Sequence, residues 1–281
     1  FYYLTSITES RFFYLMPTIE LILLFILIGA ATGTISSIIK IAPTLIAIPA
    51  LYFFLPVFGL SLQEVMLPAI ATCITAFIPT YLYAWIKSMK HGEVDTQHLI
   101  NFAPGIAMGG VIGAQLLSLV SFLVFKIGFT LIALIAILNI ILRSRTKKTS
   151  SIAIGKLAHI PIGLFIGAMS LVSGNGGQTL GESLSTLKIV DHRQRQGSIN
   201  GFVVFASIAA MIGFIFPAQS FDQATLSGFS GAIHIPLMLV LACSHFFFYW
   251  LCRHRGNALD KSVLSISFVI FIACSLVRLW V

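Results

Sequence analysis

The chain reads as an all-α, polytopic transmembrane bundle made of two inverted-topology repeats, with broken or re-entrant helices in each half. Three observations predict this: long uncharged apolar runs recur from end to end, basic charge alternates between loops, and helix breakers interrupt both halves at corresponding positions. Uncharged runs occupy residues 21–39, 41–63, 65–86, 96–125, 157–181, 196–221 and 223–252, with shorter ones at 127–142 and 262–277. A helix rises about 1.5 Å per residue, so about 20 apolar residues cross the hydrocarbon core of a bilayer. Charged residues make up 9% of the chain, well under the ~25% of soluble domains. Mean hydropathy is +0.99. A transmembrane barrel is excluded by pattern, since its strands alternate polar and apolar residues.

Taken in order, residues 1–19 form an uninformative N-terminal segment, with no basic start and apolar core of a signal peptide. The first transmembrane repeat covers 20–142, with spans at 20–39, 65–86, 99–120 and 122–142 and a short apolar piece at 44–56. A basic linker follows at 143–156. The second repeat covers 157–281, with spans at 157–173, 197–216, 228–251 and 262–280 and a short piece at 178–187.

Loop charge sets the orientation. Four clusters, at loops 87–98, 143–156, 188–196 and 252–261, hold 13 of the 17 Lys and Arg residues. The intervening loops 57–64 and 217–227 carry Glu64 and Asp222 but no Lys or Arg. The positive-inside rule therefore places the four basic loops in the cytoplasm of a cell (inner) membrane. It also accounts for the net charge of +8 without a nucleic-acid partner. Each half makes five traverses, an odd number, so the second half lies inverted. An offset of 134 residues pairs Ile26 with Ile160, Ile28 with Ile162, Gly29 with Gly163, Gly33 with Gly167 and Ser36 with Ser170.

The two breaks correspond as well. Lys40-Ile41-Ala42-Pro43 precedes one short apolar piece, and Ser173-Gly174-Asn175-Gly176-Gly177-Gln178 opens the other. Paired interruptions in the two halves of a transporter point to the transport site near the bilayer midplane. A helix N-terminus offers unpaired N–H groups and roughly half a positive charge, which suits an anion. Pro43 fits the first position of a new helix, and Gly176 and Gly177 leave their backbone N–H groups unobstructed. Lys40 adds a full charge, while Ser36, Ser37, Asn175 and Gln178 are hydrogen-bond donors toward a small oxyanion. Lys40 has a second reading, a headgroup-snorkelling residue at the end of a full-length span. Thr72 and Asn200 align roughly between the halves and are further candidates for substrate contact.

Glu182 is the sole carboxylate inside an apolar segment and a candidate for proton coupling; pairing with Lys188 or Arg193 is its structural alternative. His159, His234 and His245 are further proton-relay candidates, with interhelical hydrogen bonding as the alternative. Gly105, Gly109 and Gly113, like Gly29 with Gly33 and Gly197 with Gly201, have the spacing of close helix packing. Cys73, Cys243, Cys252 and Cys274 show no metal-ligand spacing, so no metal is expected, and no cofactor either. The GK[ST] phosphate loop of ATP-driven pumps is absent.

Gly29-x-x-x-Gly33-x-x-Ser36, Gly163-x-x-x-Gly167-x-x-Ser170, the Ser173–Gly177 run, Pro49 and the His91-Gly92-Glu93-Val94-Asp95 turn together resemble the TauE/SafE family of sulfite exporters. The resemblance spans residues 20–280 and implies transport of sulfite, sulfoacetate or a related organosulfur anion across a prokaryotic plasma membrane. One departure is Lys40-Ile41-Ala42-Pro43, standing where the family has its first glycine run, with a bearing on substrate choice.

The expected function is a secondary permease for a small oxyanion, in contact with the lipid bilayer and coupled to protons or another ion. An uncoupled anion channel is the nearest alternative. An intramembrane Ser protease pairing Ser173 with His234 or His245 lacks a GxSxG signature. A thiol-redox carrier would need matched cysteines, whereas Cys73 aligns with Asn200.

Overall fold

A computed structural model of the protein describes residues 19–143, 158–187, 192–218, 228–255 and 260–281. The N-terminal segment up to residue 18, linker residues 144–156, Lys188 and Asp222 lie outside the described residues. Among the described residues the elements are α1 (Ile19–Ile39), α2 (Thr44–Phe54) with a 3₁₀ turn (Leu55–Phe58), α3 (Met66–Lys90), α4 (Thr96–Leu117) and α5 (Phe122–Arg143). They continue with α6 (His159–Val172), α7 (Gln178–Leu187), α8 (His192–Ile215), strands β1 (Phe229–Ser230) and β2 (Ile233–His234), α9 (Ile235–Arg255) and α10 (Lys261–Trp280). This is the all-α, polytopic helical architecture that composition predicts.

Among the described residues, seven helices are long and apolar enough to cross a membrane: α1, α3, α4, α5, α8, α9 and α10. The short helices α2 and α7 reach only about 16 Å at 1.5 Å per residue. Asp95 starts α4 by accepting a hydrogen bond from the His98 N–H, and Asp260 starts α10 by accepting from Ser262. Pro49, Pro79 and Pro104 lie inside α2, α3 and α4, which membrane helices tolerate when neighbours satisfy the freed carbonyls.

Glycine decides which helices touch. Gly105, Gly109 and Gly113 of α4 face Gly163 and Gly167 of α6, and a Cβ on Gly163 would lie 2.7 Å from the Phe102 carbonyl oxygen. Gly29 and Gly33 of α1 receive the backbone of α9 in the same way, with a Cβ on Gly29 only 2.6 Å from Ser244 Cβ. Small residues at this spacing let helix backbones approach closely in lipid. The pairing is reciprocal: the first helix of each half packs on the fourth helix of the other. Between these pairs, α3 and α8 cross at the centre, with Phe77, Phe102 and Phe202 fully buried. Leu23 and Leu27 of α1, Leu134 and Leu138 of α5, and Ile266 and Ile270 of α10 point outward and are exposed. An apolar outer face of this kind fits contact with acyl chains.

One span begins later than its sequence predicts. The run 228–251 was expected to be helical throughout, but α9 starts at Ile235 and residues 229–234 form a hairpin, Phe229 paired with His234. Gly228 and Gly231 hold φ of +99° and +59°, which a helix cannot accommodate, and Pro236 suits only its first turn. The hairpin is pinned to the bundle by the Ala232 N–H donating to the Phe214 carbonyl at 2.8 Å, and by the His234 N–H donating to Thr72 Oγ1 at 3.1 Å.

Candidate functional site

Each helix break holds a residue of left-handed backbone at the equivalent position, and the second break adds another at Gly177, with φ +99°. Lys40 has φ +56° and Gly174 has φ +69°. They are 134 residues apart, as are Thr44 and Gln178, the first residues of the two short helices. Left-handed φ costs an L-residue about 1–2 kcal/mol and glycine almost nothing. At Gly174 a Cβ would also stand 2.6 Å from Ile48 Cδ1, so that side chain would have to shift. The second break is shaped by Asn175: its Oδ1 accepts from the Gly177 N–H at 3.1 Å and its Nδ2 donates to Thr179 Oγ1 at 3.0 Å.

The breaks meet directly. Gln178 Nε2 donates to the Lys40 carbonyl at 2.8 Å, while Gln178 Oε1 accepts a hydrogen bond from the Tyr81 hydroxyl of α3. On the side of this junction that carries the basic loops lies a cavity of about 400 Å³. Ser36, Ser37, Lys40, Gln178 and Asn200, all predicted from sequence, line it.

Their chemistry differs in part from expectation. The Ser36 hydroxyl donates to the Thr32 carbonyl at 2.6 Å and the Ser37 hydroxyl to Thr34 at 2.8 Å, so both protons are already engaged with α1. Asn200 Oδ1 accepts from Gln196 Nε2 at 3.2 Å, which leaves its amide NH₂ for the cavity. The hydroxyl of Thr80, also in the wall, is buried without a hydrogen-bond partner among the described residues.

Other predicted residues lie elsewhere. Gly176 lines a void of only about 10 Å³ beyond Tyr81, shared with Pro43, Thr44 and Ser207. Asn175 and Gly177 shape the loop and line neither space. Thr72 holds the hairpin instead of facing Asn200. Glu182 faces a separate pocket with Lys40, Arg195 and Lys261. Its expected partner Arg193 instead pairs with Glu93 at 3.6 Å.

Several wall residues escaped the sequence reading: Tyr81, Glu93, Arg193, Tyr249 and Arg253. Lys40, Arg193 and Arg253 outnumber Glu93, so the cavity is electropositive. Arg253 donates to the Tyr249 hydroxyl at 3.5 Å. The mouth is shaped by the 91–95 turn, where the Asp95 N–H donates to Ser198 Oγ at 2.9 Å and the Glu93 carbonyl lies against Gly197. Ser173 gives its hydroxyl proton to the Met169 carbonyl at 2.7 Å, so no histidine activates it as a nucleophile.

No curated protein and no solved structure matches this chain. The family model for the sulfite exporter TauE/SafE matches residues 25–279.

Proposed function

The chain belongs to the sulfite exporter TauE/SafE family, and from that membership we propose a secondary transporter that moves sulfite or an organosulfonate such as sulfoacetate through the cavity at the paired breaks. The coarser statement, a multi-pass membrane transporter of the sulfite-exporter type, follows from the family and the seven apolar helices.

One observation carries the finer reading: the two breaks are bonded to each other at the closed end of an electropositive cavity. With the basic loops in the cytoplasm, the cavity is open inward and shut outward. An oxyanion enters among Lys40, Arg193 and Arg253 and exchanges water for the Asn200 amide and the Thr80 hydroxyl. Its onward route runs past the Tyr81–Gln178 hydrogen bond to the void lined by Thr44, Gly176 and Ser207, between the starts of α2 and α7. Parting that bond on one side and lifting the hairpin from Thr72 on the other gives alternating access. The reciprocal helix pairing and the 134-residue offset support inverted repeats rocking about this junction. A wall closed on one side favours a carrier over an open channel.

The test is sulfite flux from proteoliposomes containing the purified protein. Flux should saturate with sulfite and be competed by sulfoacetate. Flux rising linearly without saturation would point to a channel, and no flux above empty liposomes would overturn the reading.

A further inference from the structure

We propose that His245 is the proton-binding residue of the cavity and that its protonation is thermodynamically linked to anion binding. The inference rests on the transport reading above. His245 lies on α9 at the deep end of the cavity and is 1% exposed. It is held where α1 and α9 are closest, its backbone N–H 3.0 Å from a Cβ built on Gly29. Its Nδ1 lies 2.9 Å from Thr32 Oγ1. The Thr32 hydroxyl proton goes to the Ile28 carbonyl, 2.7 Å away, so Thr32 accepts and Nδ1 carries the hydrogen. Nε2 is then the lone-pair nitrogen, and among the described residues the ring's hydrogen bond is the one at Nδ1. The ring is held between Phe77, with centroids 4.6 Å apart, and Tyr249, at 6.3 Å.

The surrounding charges supply the linkage. Facing the cavity with His245 are Tyr81 of α3, Lys40 at the end of α1, Arg193 of α8 and Glu93 of the 91–95 turn, besides Tyr249 and Arg253 of α9. With three cations against one carboxylate, a proton on Nε2 is opposed while the cavity holds only water. An oxyanion reverses that balance, so anion and proton favour each other's binding by the same factor. Arg253 lies eight residues further along α9, about 12 Å toward the mouth at 1.5 Å per residue. The proton therefore comes from the basic-loop side, through the same opening as the anion.

The geometry separates His245 from the other histidines. His234 sits in the hairpin at the opposite end, and the His159 ring packs on Phe102, with centroids 4.7 Å apart. Neither lines the cavity.

The experiment measures sulfite binding to purified wild-type, His245→Gln and Thr32→Val proteins across the range in which histidine titrates, with folding checked by gel filtration and circular dichroism. Sulfite's own titration is common to all three, so differences between proteins report the histidine. We expect wild-type affinity at about pH 5.5 to exceed that at about pH 8 by about tenfold more than it does in His245→Gln. Thr32→Val removes the acceptor that steadies Nδ1–H in the imidazolium, so its binding midpoint should move to lower pH with the imidazole retained. Sulfite binding whose pH profile is the same in wild type and His245→Gln would overturn the His245 assignment alone. A misfolded His245→Gln leaves the decision to Thr32→Val, where an unmoved midpoint overturns it. Wild-type protein that binds no sulfite at any pH would overturn the transport reading and this inference with it.

Discussion

Gln178 Nε2 lies 2.8 Å from the carbonyl oxygen of Lys40, and this hydrogen bond joins the helix break of the second half to that of the first. The same amide accepts from the Tyr81 hydroxyl, so one side chain closes the deep end of the cavity. Gln178→Ala strands both partners at a site that is 4% exposed at Gln178. A buried polar group left without its partner costs about 1–3 kcal/mol. The expected outcome is a loss of a few degrees in the thermal midpoint of detergent-solubilised protein, measured by intrinsic fluorescence.

Lys40 plays two roles that substitution can separate. Its backbone takes the left-handed conformation that glycine takes at the equivalent Gly174, and the residue lines the cavity wall. Lys40→Gly relieves about 1 kcal/mol of backbone strain, whereas Lys40→Ala keeps it. Both remove the charge, so both should weaken sulfite binding by roughly fivefold or more, while only the glycine variant gains thermal stability. Wild-type affinity in both variants would return Lys40 to the headgroup region.

The breaks were legible because glycine, proline and a repeat offset are local signals. Gln178 and Asn175 could be found in that way, and they build and join the breaks. Arg253, Tyr249 and His245 could not be read as neighbours of Ser36. They reach the cavity because Gly33 lets α9 lie on α1, a tertiary contact between residues about two hundred positions apart. Arg253 belongs to the basic cluster at 252–261, and the positive-inside rule explains it without a site. Thr72 failed for a different reason: similar apolar segments can be slid along one another, and its match with Asn200 was one such register. The hairpin had a signal in Gly228, Gly231 and Pro236, which uniform hydropathy obscured.

Packing through α4 and α6 makes a sharp stability prediction. A Cβ on Gly109 would drive into the Leu164 carbonyl, which belongs to a backbone and has little freedom to retreat. Gly109→Val therefore forces the two helices apart, with a loss beyond the 1–3 kcal/mol typical of one overpacked site. The expected result is little or no monodisperse protein on gel filtration. Gly59→Ala, at an exposed turn with nothing within 4 Å of the new Cβ, meets only the cost of its left-handed φ of +72°, about 1–2 kcal/mol, and should remain soluble in detergent and folded.

Glu182 is the obvious proton carrier by sequence, yet it lies with Lys40, Arg195 and Lys261 in a second pocket, which shares Lys40 and Gln196 with the cavity. It does not itself line the cavity that holds His245. Glu182→Gln is expected to leave the pH profile of sulfite binding within about twofold of wild type at every pH. Loss of the pH dependence in this variant would restore Glu182 to the coupling step.

Thr44 tests the innermost part of the route. It is the first residue of α2 and 3% exposed, and its hydroxyl has no hydrogen-bond partner among the described residues. It lines the void shared with Gly176 and Ser207, beyond the Tyr81–Gln178 hydrogen bond. An unsatisfied buried hydroxyl destabilises a resting protein, so isosteric Thr44→Val should be at least as stable as wild type. A passing oxyanion, however, would lose a donor worth about 1.5–3 kcal/mol when the acceptor is charged. Sulfite flux should then fall by roughly 10- to 100-fold, while binding to the open cavity changes little. Such a split, slow transport with near-normal binding, is expected only if the anion reaches Thr44 after leaving the cavity. Wild-type flux through Thr44→Val would take the void off the route.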